Sequence, residues 1–394
     1  MNPVYVIPLL VEQPTWGGHY IAEFKNIRDA VATTPKIGQA FELYRDACVT
    51  SIAQTEMPFA YATATNLKEP QFFHRPADIQ TLQSVIDQDP IGFLGQKAID
   101  QYGKTMQVLI KFTQAQNNSY QAHVRPGQEF GKWQAKPESW YYFEKGKATL
   151  GLSSTEPTTV AAYKKRCTEI DQHAQELSKK VLAKEIDVAG TRAELKKFIQ
   201  QDHPQKYVNT VVIEPNQVID LSSGGTHHSW EMSPEIPNGN IVYEVQKDVM
   251  DEFCTLRSFD QGNIKDDGKV RPLTIDEYFQ ALNTNAEQNK TQQYLKTPQP
   301  QNEEGAVVTE LFNNQFYKTI SLKFSGKYSG KYANLDGSFH HLFVQSGKIS
   351  AHIGEKSWGV SKGWSLLIPA NTKHYELHSD SESVVLQTSV SQLS

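Results

Sequence analysis

The sequence is poor in three things. Cysteine is the first: only Cys48, Cys167 and Cys254 occur in 394 residues, and they lie far apart. They offer neither a disulfide framework nor a CxxC knuckle, so any metal would have to be held by His, Glu, Gln or Asp. Charge of one sign is the second. Lys plus Arg number 39 and Asp plus Glu 44, a net charge of −5. That balance argues against nucleic acid or an anionic membrane as partner, because such binders need a broad basic face. Long apolar runs are the third: none approaches the roughly 20 residues of a membrane span. Met1 to Leu10 is apolar but has no basic lead-in and no cleavage-like site, so it reads as an edge strand rather than a signal peptide. A reduced, cytoplasmic setting is the expectation.

What is abundant is aromatic side chain: 18 Phe, 17 Tyr and 6 Trp, within a 38% apolar total. Such a chain can bury cores, which excludes wholesale disorder, and its length suits two or three domains of roughly 100–200 residues. Residues 1–60 mix short apolar runs with Gly and Pro, as strands and turns do. Residues 76–102 read as helix, with Ile79, Leu82, Val85 and Ile86 at helical spacing and Asp89-Pro90 as the stop. Met106 to Phe112, Tyr120 to Val124 and Trp140 to Phe143 read as strands. In segment 157–203 the apolar positions Tyr163, Cys167, Ile170, Ala174, Leu177 and Val181 recur at i, i+3, i+4 and i+7. That spacing predicts an amphipathic helix, with a second at Thr191–Ile199, together a helical insertion over one end of a β core. Strand patterning returns at Val208–Ile213, Gln217–Leu221 and Ile241–Val245. A polar bridge follows, with a helix near Ile275–Leu282 capped by Thr274 and a linker at Thr291–Glu304. From Phe316 onward, short strands with Gly turns predict a closed β sandwich or barrel.

One set of residues carries chemistry. Gln121 and His123 stand two apart on a predicted strand and so share a face. Glu138 follows fifteen residues later. If strand 217–221 neighbours strand 120–124, His227 or His228 completes a Gln/His/Glu/His cluster. Two imidazoles, a carboxylate and an amide oxygen suit a zinc-like divalent ion and leave room for water or substrate. Without that ion, His123 and His227 are ordinary polar residues at the mouth of a barrel.

Several short stretches, in order and spacing, resemble the class I phosphomannose isomerases, two-cupin zinc enzymes. Pro14-Thr15-Trp16-Gly17-Gly18 looks like the family's N-terminal turn, and Thr81-Leu82 through Gly95 like its helix ending in Leu-Gly. Leu109-Ile110-Lys111-Phe112 with Gln121-Ala122-His123, then Lys136-Pro137-Glu138, then Gly225-Thr226 before His227, resemble its metal-binding blocks. Tyr243-Glu244-Val245-Gln246, Arg257 and Asp260 resemble its later block. The sequence departs from the pattern in four places. Val124-Arg125 precede Pro126 where Pro normally follows the metal histidine directly. Ser222 replaces a proline. The Glu244-to-Arg257 interval is a few residues longer. Two histidines are adjacent: ungapped counting from Pro215 favours His227, whereas the pattern G-T-x-H favours His228. Neighbouring strand residues face opposite ways, so one can ligate, and His227 is preferred.

The resemblance implies a mainly β fold of two cupin (jelly-roll) barrels. Residues 1–155 and 205–260 would form the catalytic cupin, 156–204 the helical insertion, 261–310 a bridge and 311–394 a C-terminal cupin. It implies one Zn2+ per chain on Gln121, His123, Glu138 and His227. Arg257 would be the catalytic arginine, with Lys136 and Glu244 as rival proton-transfer groups. A neighbouring dication would favour neutral Lys136. Taken singly, Lys136 reads as a solvated lysine, Glu244 as a satisfied strand-end carboxylate and Arg257 as the partner of Asp260. The implied activity is interconversion of mannose 6-phosphate and fructose 6-phosphate through a cis-enediol, with a sugar phosphate as partner and a monomer or homodimer as assembly. Other readings are a metal cupin acting on another sugar phosphate and a carbohydrate-binding cupin without turnover. A storage-type protein is disfavoured by the missing secretion signal. In the C-terminal segment, Gly363, Pro369, Ala370, Asn371 and His374 resemble the second cupin pattern. His340-His341 falls where a first pattern could begin, but no Glu follows at ligand spacing, so that domain reads as metal-free, with His374 and His378 at its surface or core edge.

Overall fold

The computed structural model describes residues 1–13, 16–27, 36–53, 60–65, 70–72, 75–230, 232–335 and 337–391. Pro14 and Thr15 of the proposed N-terminal turn lie outside the described residues. The chain is mainly β, with three sheets that are antiparallel apart from one parallel pair, Leu9–Glu12 with Ala62–Ala64. None of the three closes on itself among the described residues, so the predicted closed barrel is replaced by open sheets.

The nine-stranded sheet runs Leu295–Lys296, Val218–Asp220, Glu138–Tyr142, Asn240–Lys247, Val108–Ala115, Ile37–Leu43, Leu9–Glu12, Ala62–Ala64 and Gln71–Phe72. Its middle strands are buried on both faces; every residue of Val108–Ala115 is buried. The alternation of side chains divides their work. Ile110, Phe112, Tyr243 and Val245 point into a core shared with Leu342, Phe343 and Leu386 of the C-terminal half. Lys111, Thr113, Glu244 and Glu138 occupy the other face, toward the five-stranded sheet. That sheet runs Val208–Ile213, Gly146–Leu152, Gly225–Ser229, Tyr120–His123 and Leu256–Phe259.

The helical insertion forms as Pro157–Leu182 and Val188–Gln201. Pro at the first helical position and the Asp187 side chain accepting from the Gly190 amide start the two helices. Tyr163, Cys167, Ile170 and Leu177, with Leu195 and Ile199, bury against Tyr120, Ala122, Leu256 and Phe259 on the outer face of the five-stranded sheet. Each fully buried aliphatic there contributes about 1.5–3 kcal/mol. Covering that outer face commits the alternate residues, Gln121 and His123, to the inner one.

Several sequence expectations are corrected. Met1 to Leu10 is no edge: Val4–Ile7 lies between Ser365–Ile368 and Cys48–Thr50 in the eleven-stranded sheet, and Leu9–Glu12 is also interior to its own sheet. The start of the chain thus pairs with the C-terminal half. The helix expected over 76–102 breaks into Leu82–Ile86, Pro90–Leu94 and Gln96–Tyr102, because Asp89-Pro90 and Gly95 interrupt the hydrogen-bond ladder. Thr291–Glu304 is structured rather than a free linker: Leu295–Lys296 joins the nine-stranded sheet and Pro300–Glu303 the eleven-stranded one. Among the described residues, no helix is long and apolar enough to cross a membrane.

Candidate metal centre

The five-stranded sheet places the site by register. His227 lies directly opposite Gln121, and Gly225 opposite His123. Arg257, on the other side, also pairs with Gln121. The strand that neighbours Tyr120–His123 is therefore Gly225–Ser229. The expected neighbour, Val218–Asp220, pairs instead with Glu138–Tyr142 in the facing sheet. Its bend into Gly225–Ser229 needs glycine. Gly224 has φ +76° and Gly225 φ +133°, and side chains there would meet the His123 carbonyl at 2.8 Å and the Tyr294 ring at 2.9 Å.

His123, Glu138 and His227 converge, all buried, with one ligand atom from each within 4.8 Å of the others. His123 is oriented from behind: its Nδ1 lies 2.8 Å from the Cys254 carbonyl oxygen, which turns Nε2 toward Glu138 Oε2 at 3.0 Å. A carbonyl holding the remote ring nitrogen is the usual support of a metal-bound histidine. Glu138 Oε1 accepts from the Trp140 indole, and Lys136 Nζ sits 2.6 Å from Oε2. The His227 ring packs 4.8 Å from that of His123 and edge-on to Trp140 at 5.3 Å. Gln121 is half-buried on the same face, its amide donating to Ser119 Oγ at 3.2 Å.

His228 points the other way. Its ring lies 4.5 Å from Tyr120 and 4.9 Å from Trp230, and its Nε2 meets the Gln261 amide at 2.8 Å. The alternation that separates the two histidines places His227 with His123 and Glu138, and His228 on the covered outer face.

The protonation states suit a cation. Burial and the His123 ring push His227 down to about 3, and burial with the Lys136 ammonium lowers His123, so both imidazoles are neutral. Burial alone would raise Glu138, but Lys136 and His123 hold it well below the usual carboxylate range. Two neutral imidazoles and an ionised carboxylate are what a divalent ion takes up without first displacing protons. Lys136 is held in its charged form by its own neighbours. Burial lowers it, yet Glu138, Cys254 and Glu244 together raise it, so beside these groups it is charged.

The remaining candidates surround this group. Glu244 sits across from Trp140 and Lys111, pairing with Lys111 Nζ at 2.7 Å; burial first and Glu138 second raise it. Arg257 pairs with Asp251 at 2.6 Å rather than with Asp260, whose partner is Arg271 at 3.7 Å. The Thr274 hydroxyl makes no helix-cap bond; it accepts from the Arg257 backbone amide at 2.8 Å. Sequence reasoning missed Trp140 and Lys111 as parts of the site. The signal was available: Trp140 is two residues from Glu138, and Lys111 is a charge inside an apolar strand.

No protein-family model and no curated protein matches the sequence. Solved structures do. The Bacillus subtilis mannose 6-phosphate isomerase is 13% identical, with 98% of this chain and 99% of that one covered at a TM-score of 0.63. The Salmonella typhimurium mannose 6-phosphate isomerase bound to fructose 6-phosphate and zinc is 11% identical, with full coverage of both chains and a TM-score of 0.63. A further zinc-bound mannose 6-phosphate isomerase gives 11% and 0.64 over the same extent. Across its whole length, this chain has the fold of the mannose 6-phosphate isomerase structures.

Proposed function

We propose that the protein is a zinc-dependent aldose–ketose isomerase interconverting mannose 6-phosphate and fructose 6-phosphate through a cis-enediol. The observation that carries this reading is the buried His123–Glu138–His227 group, set on facing sheets of a chain with the fold of such enzymes. Gln121, on the same face as His123 and opposite His227, would complete four ligands for one Zn2+ per chain. The donor set fits: neutral imidazoles, an ionised carboxylate and an amide oxygen suit zinc. When bound, the ion supplies Lewis-acid stabilisation of charge developing on a substrate oxygen.

The chain's own residues supply the rest. Isomerisation moves a proton between adjacent carbons, which a positioned acid–base group accelerates by roughly 10²–10⁴. Glu244 is buried, raised in pKa and linked to Lys111, so it can take and return a proton nearer neutrality than an ordinary carboxylate. Lys136, charged through Glu138, can donate a hydrogen bond or a proton to substrate oxygen. Arg257 projects from the strand beside Gln121 and offers a guanidinium to the phosphate or the reacting oxygens. We assign the N-terminal sheets to a catalytic cupin and the C-terminal half to a second cupin, in a cytoplasmic enzyme working as monomer or homodimer.

A coupled assay with mannose 6-phosphate, run on chelator-treated protein with and without added zinc, tests the proposal. Turnover restored by zinc is expected. A zinc-loaded protein that turns over no mannose 6-phosphate would refute it.

A further inference from the structure

A cavity of about 630 Å³ lies in the C-terminal half, away from the His123–Glu138–His227 group. Its size is that of small-molecule sites, roughly 300–1,000 Å³. Its wall is mostly polar, with asparagine, glutamine, serine, histidine and lysine outnumbering apolar side chains. Gln387 and Ser389 stand two apart on the long strand Glu376–Val390, facing Ile320 and Lys318 across the ladder. His340 enters from the next strand. Its Nδ1 lies 3.0 Å from the Tyr375 hydroxyl, which in turn donates to Gln387 Oε1 at 3.1 Å. With the Tyr375 proton committed to Gln387, its oxygen accepts from His340 Nδ1–H. The imidazole Nε2 is then a bare acceptor. It makes no hydrogen bond among the described residues and opens toward the cavity that His340 lines. Ser391, 3% exposed on the same wall, has a hydroxyl without a partner. A buried hydroxyl without a partner, such as that of Ser391, costs about 1–3 kcal/mol, and a ligand is one reason a fold retains it.

The rest of the wall narrows the ligand. Lys318 and Lys331 line the cavity, and the ammonium of each lies over the Tyr332 ring, at 5.7 Å and 4.9 Å. Each lysine is also paired with a glutamate, Glu310 or Glu303, but neither glutamate lines the cavity, and among the described residues no other carboxylate does. A bare imidazole nitrogen asks for a hydroxyl donor, the unpartnered Ser391 hydroxyl takes a further hydroxyl, and two ammonium groups ask for an anion.

We propose that this cavity is a second ligand site, taking a polyhydroxylated small anion of the monosaccharide phosphate class. The site is separate from the candidate metal centre, and its existence does not rest on the isomerase reading.

Isothermal titration of the full-length, chelator-treated protein with glucose 6-phosphate tests it, with glucose and inorganic phosphate as controls. The expected result is saturable binding that persists in His123→Ala and weakens at least tenfold in Ser389→Trp, which fills the cavity. Because that variant can misfold, Lys318→Ala with Lys331→Ala is the companion; both lysines are partly exposed, and the pair should weaken glucose 6-phosphate binding at least tenfold. Absence of binding, binding lost in His123→Ala but kept in the cavity variants, or glucose bound as tightly as glucose 6-phosphate would each overturn the proposal.

Discussion

The adjacent pair His227 and His228 allows a reciprocal experiment. Both are buried, at 1% and 0% exposure, so burial does not distinguish them; the facing of the strand does. His227→Ala removes one of three buried donors that lie within 4.8 Å of one another. Zinc affinity should fall by more than the roughly 10–100-fold that loss of a mere supporting group costs. Stability without metal should change less, because the lost imidazole made one hydrogen bond, at 3.1 Å to the Gly225 carbonyl, and stood in a polar cluster. His228→Ala should do the opposite. It deletes ring contacts to Tyr120 and Trp230, each worth about 0.5–1.5 kcal/mol. It also leaves the Gln261 amide without its acceptor, about 1 kcal/mol. The cavity brings the total to about 3–5 kcal/mol, with zinc affinity nearly unchanged. Competition against a chromophoric chelator reads the first quantity, and urea unfolding of the zinc-free protein reads the second. If His228→Ala releases zinc while His227→Ala retains it, the strand register underlying the site is wrong.

Four further outcomes are expected. Arg257→Ala should abolish turnover of mannose 6-phosphate while the purified protein still carries zinc; surviving turnover refutes the role given to Arg257. Trp140→Phe removes the indole donor to Glu138 but keeps a ring beside His227, and should weaken zinc binding about 10–100-fold; unchanged affinity in chelator competition would show that the bond does not orient the carboxylate. Glu42→Gln leaves Lys25 charged and unpaired at zero exposure, where the two now sit 2.6 Å apart, and should cost about 3–5 kcal/mol; Lys25→Met combined with Glu42→Leu should recover much of it in urea unfolding, and a double variant worse than the single one would refute the account. Burial lowers His227, His340 and His341 to about 3, from an ordinary value near 6.5. Between those values the unfolded chain binds protons that the native one does not, so stability must fall as pH falls, by up to about 1.4 kcal/mol per pH unit for each group; a flat urea midpoint between pH 7.5 and 5 in zinc-free protein contradicts it.

What the sequence disclosed and what it withheld have different physical origins. Period-2 and period-3.6 patterns mark local structure, and the insertion helices and most core strands appear within a few residues of where the patterns lie. Gln121 and His123 could be placed on one face for the same reason. Partners across a sheet are set by long-range pairing, which no local pattern encodes. That is why local pattern leaves the neighbour of strand 120–124 open, and why the apolar start of the chain reads as an edge although Val4–Ile7 pairs with Ser365–Ile368 across the molecule. Gly146–Leu152 went unrecognised although it lies beside the His227 strand, because Gly146, Thr149 and Gly151 interrupt its apolar run.

Charge compensation is equally invisible in one dimension. A lysine beside a metal ligand reads as a group to be neutralised by the cation, yet folding gives Lys136 a carboxylate at 2.6 Å before any ion arrives. The same contact prepares the site. By holding Glu138 ionised in a buried setting, Lys136 removes the proton a divalent ion would otherwise have to displace, and zinc binding then pits the ion against the ammonium for Glu138 Oε2. Lys136→Met should therefore have two separable effects. The zinc-free protein loses the counter-ion of a buried carboxylate, so the Glu138 pKa rises and zinc uptake depends more steeply on pH than in the unchanged protein. Once loaded, the ion no longer faces a competing charge, and its dissociation should slow. Stopped-flow release into excess chelator measures the second effect, and proton release on zinc binding measures the first. If Lys136→Met leaves proton release unchanged and speeds zinc loss, Lys136 is supporting the bound ion rather than holding its place.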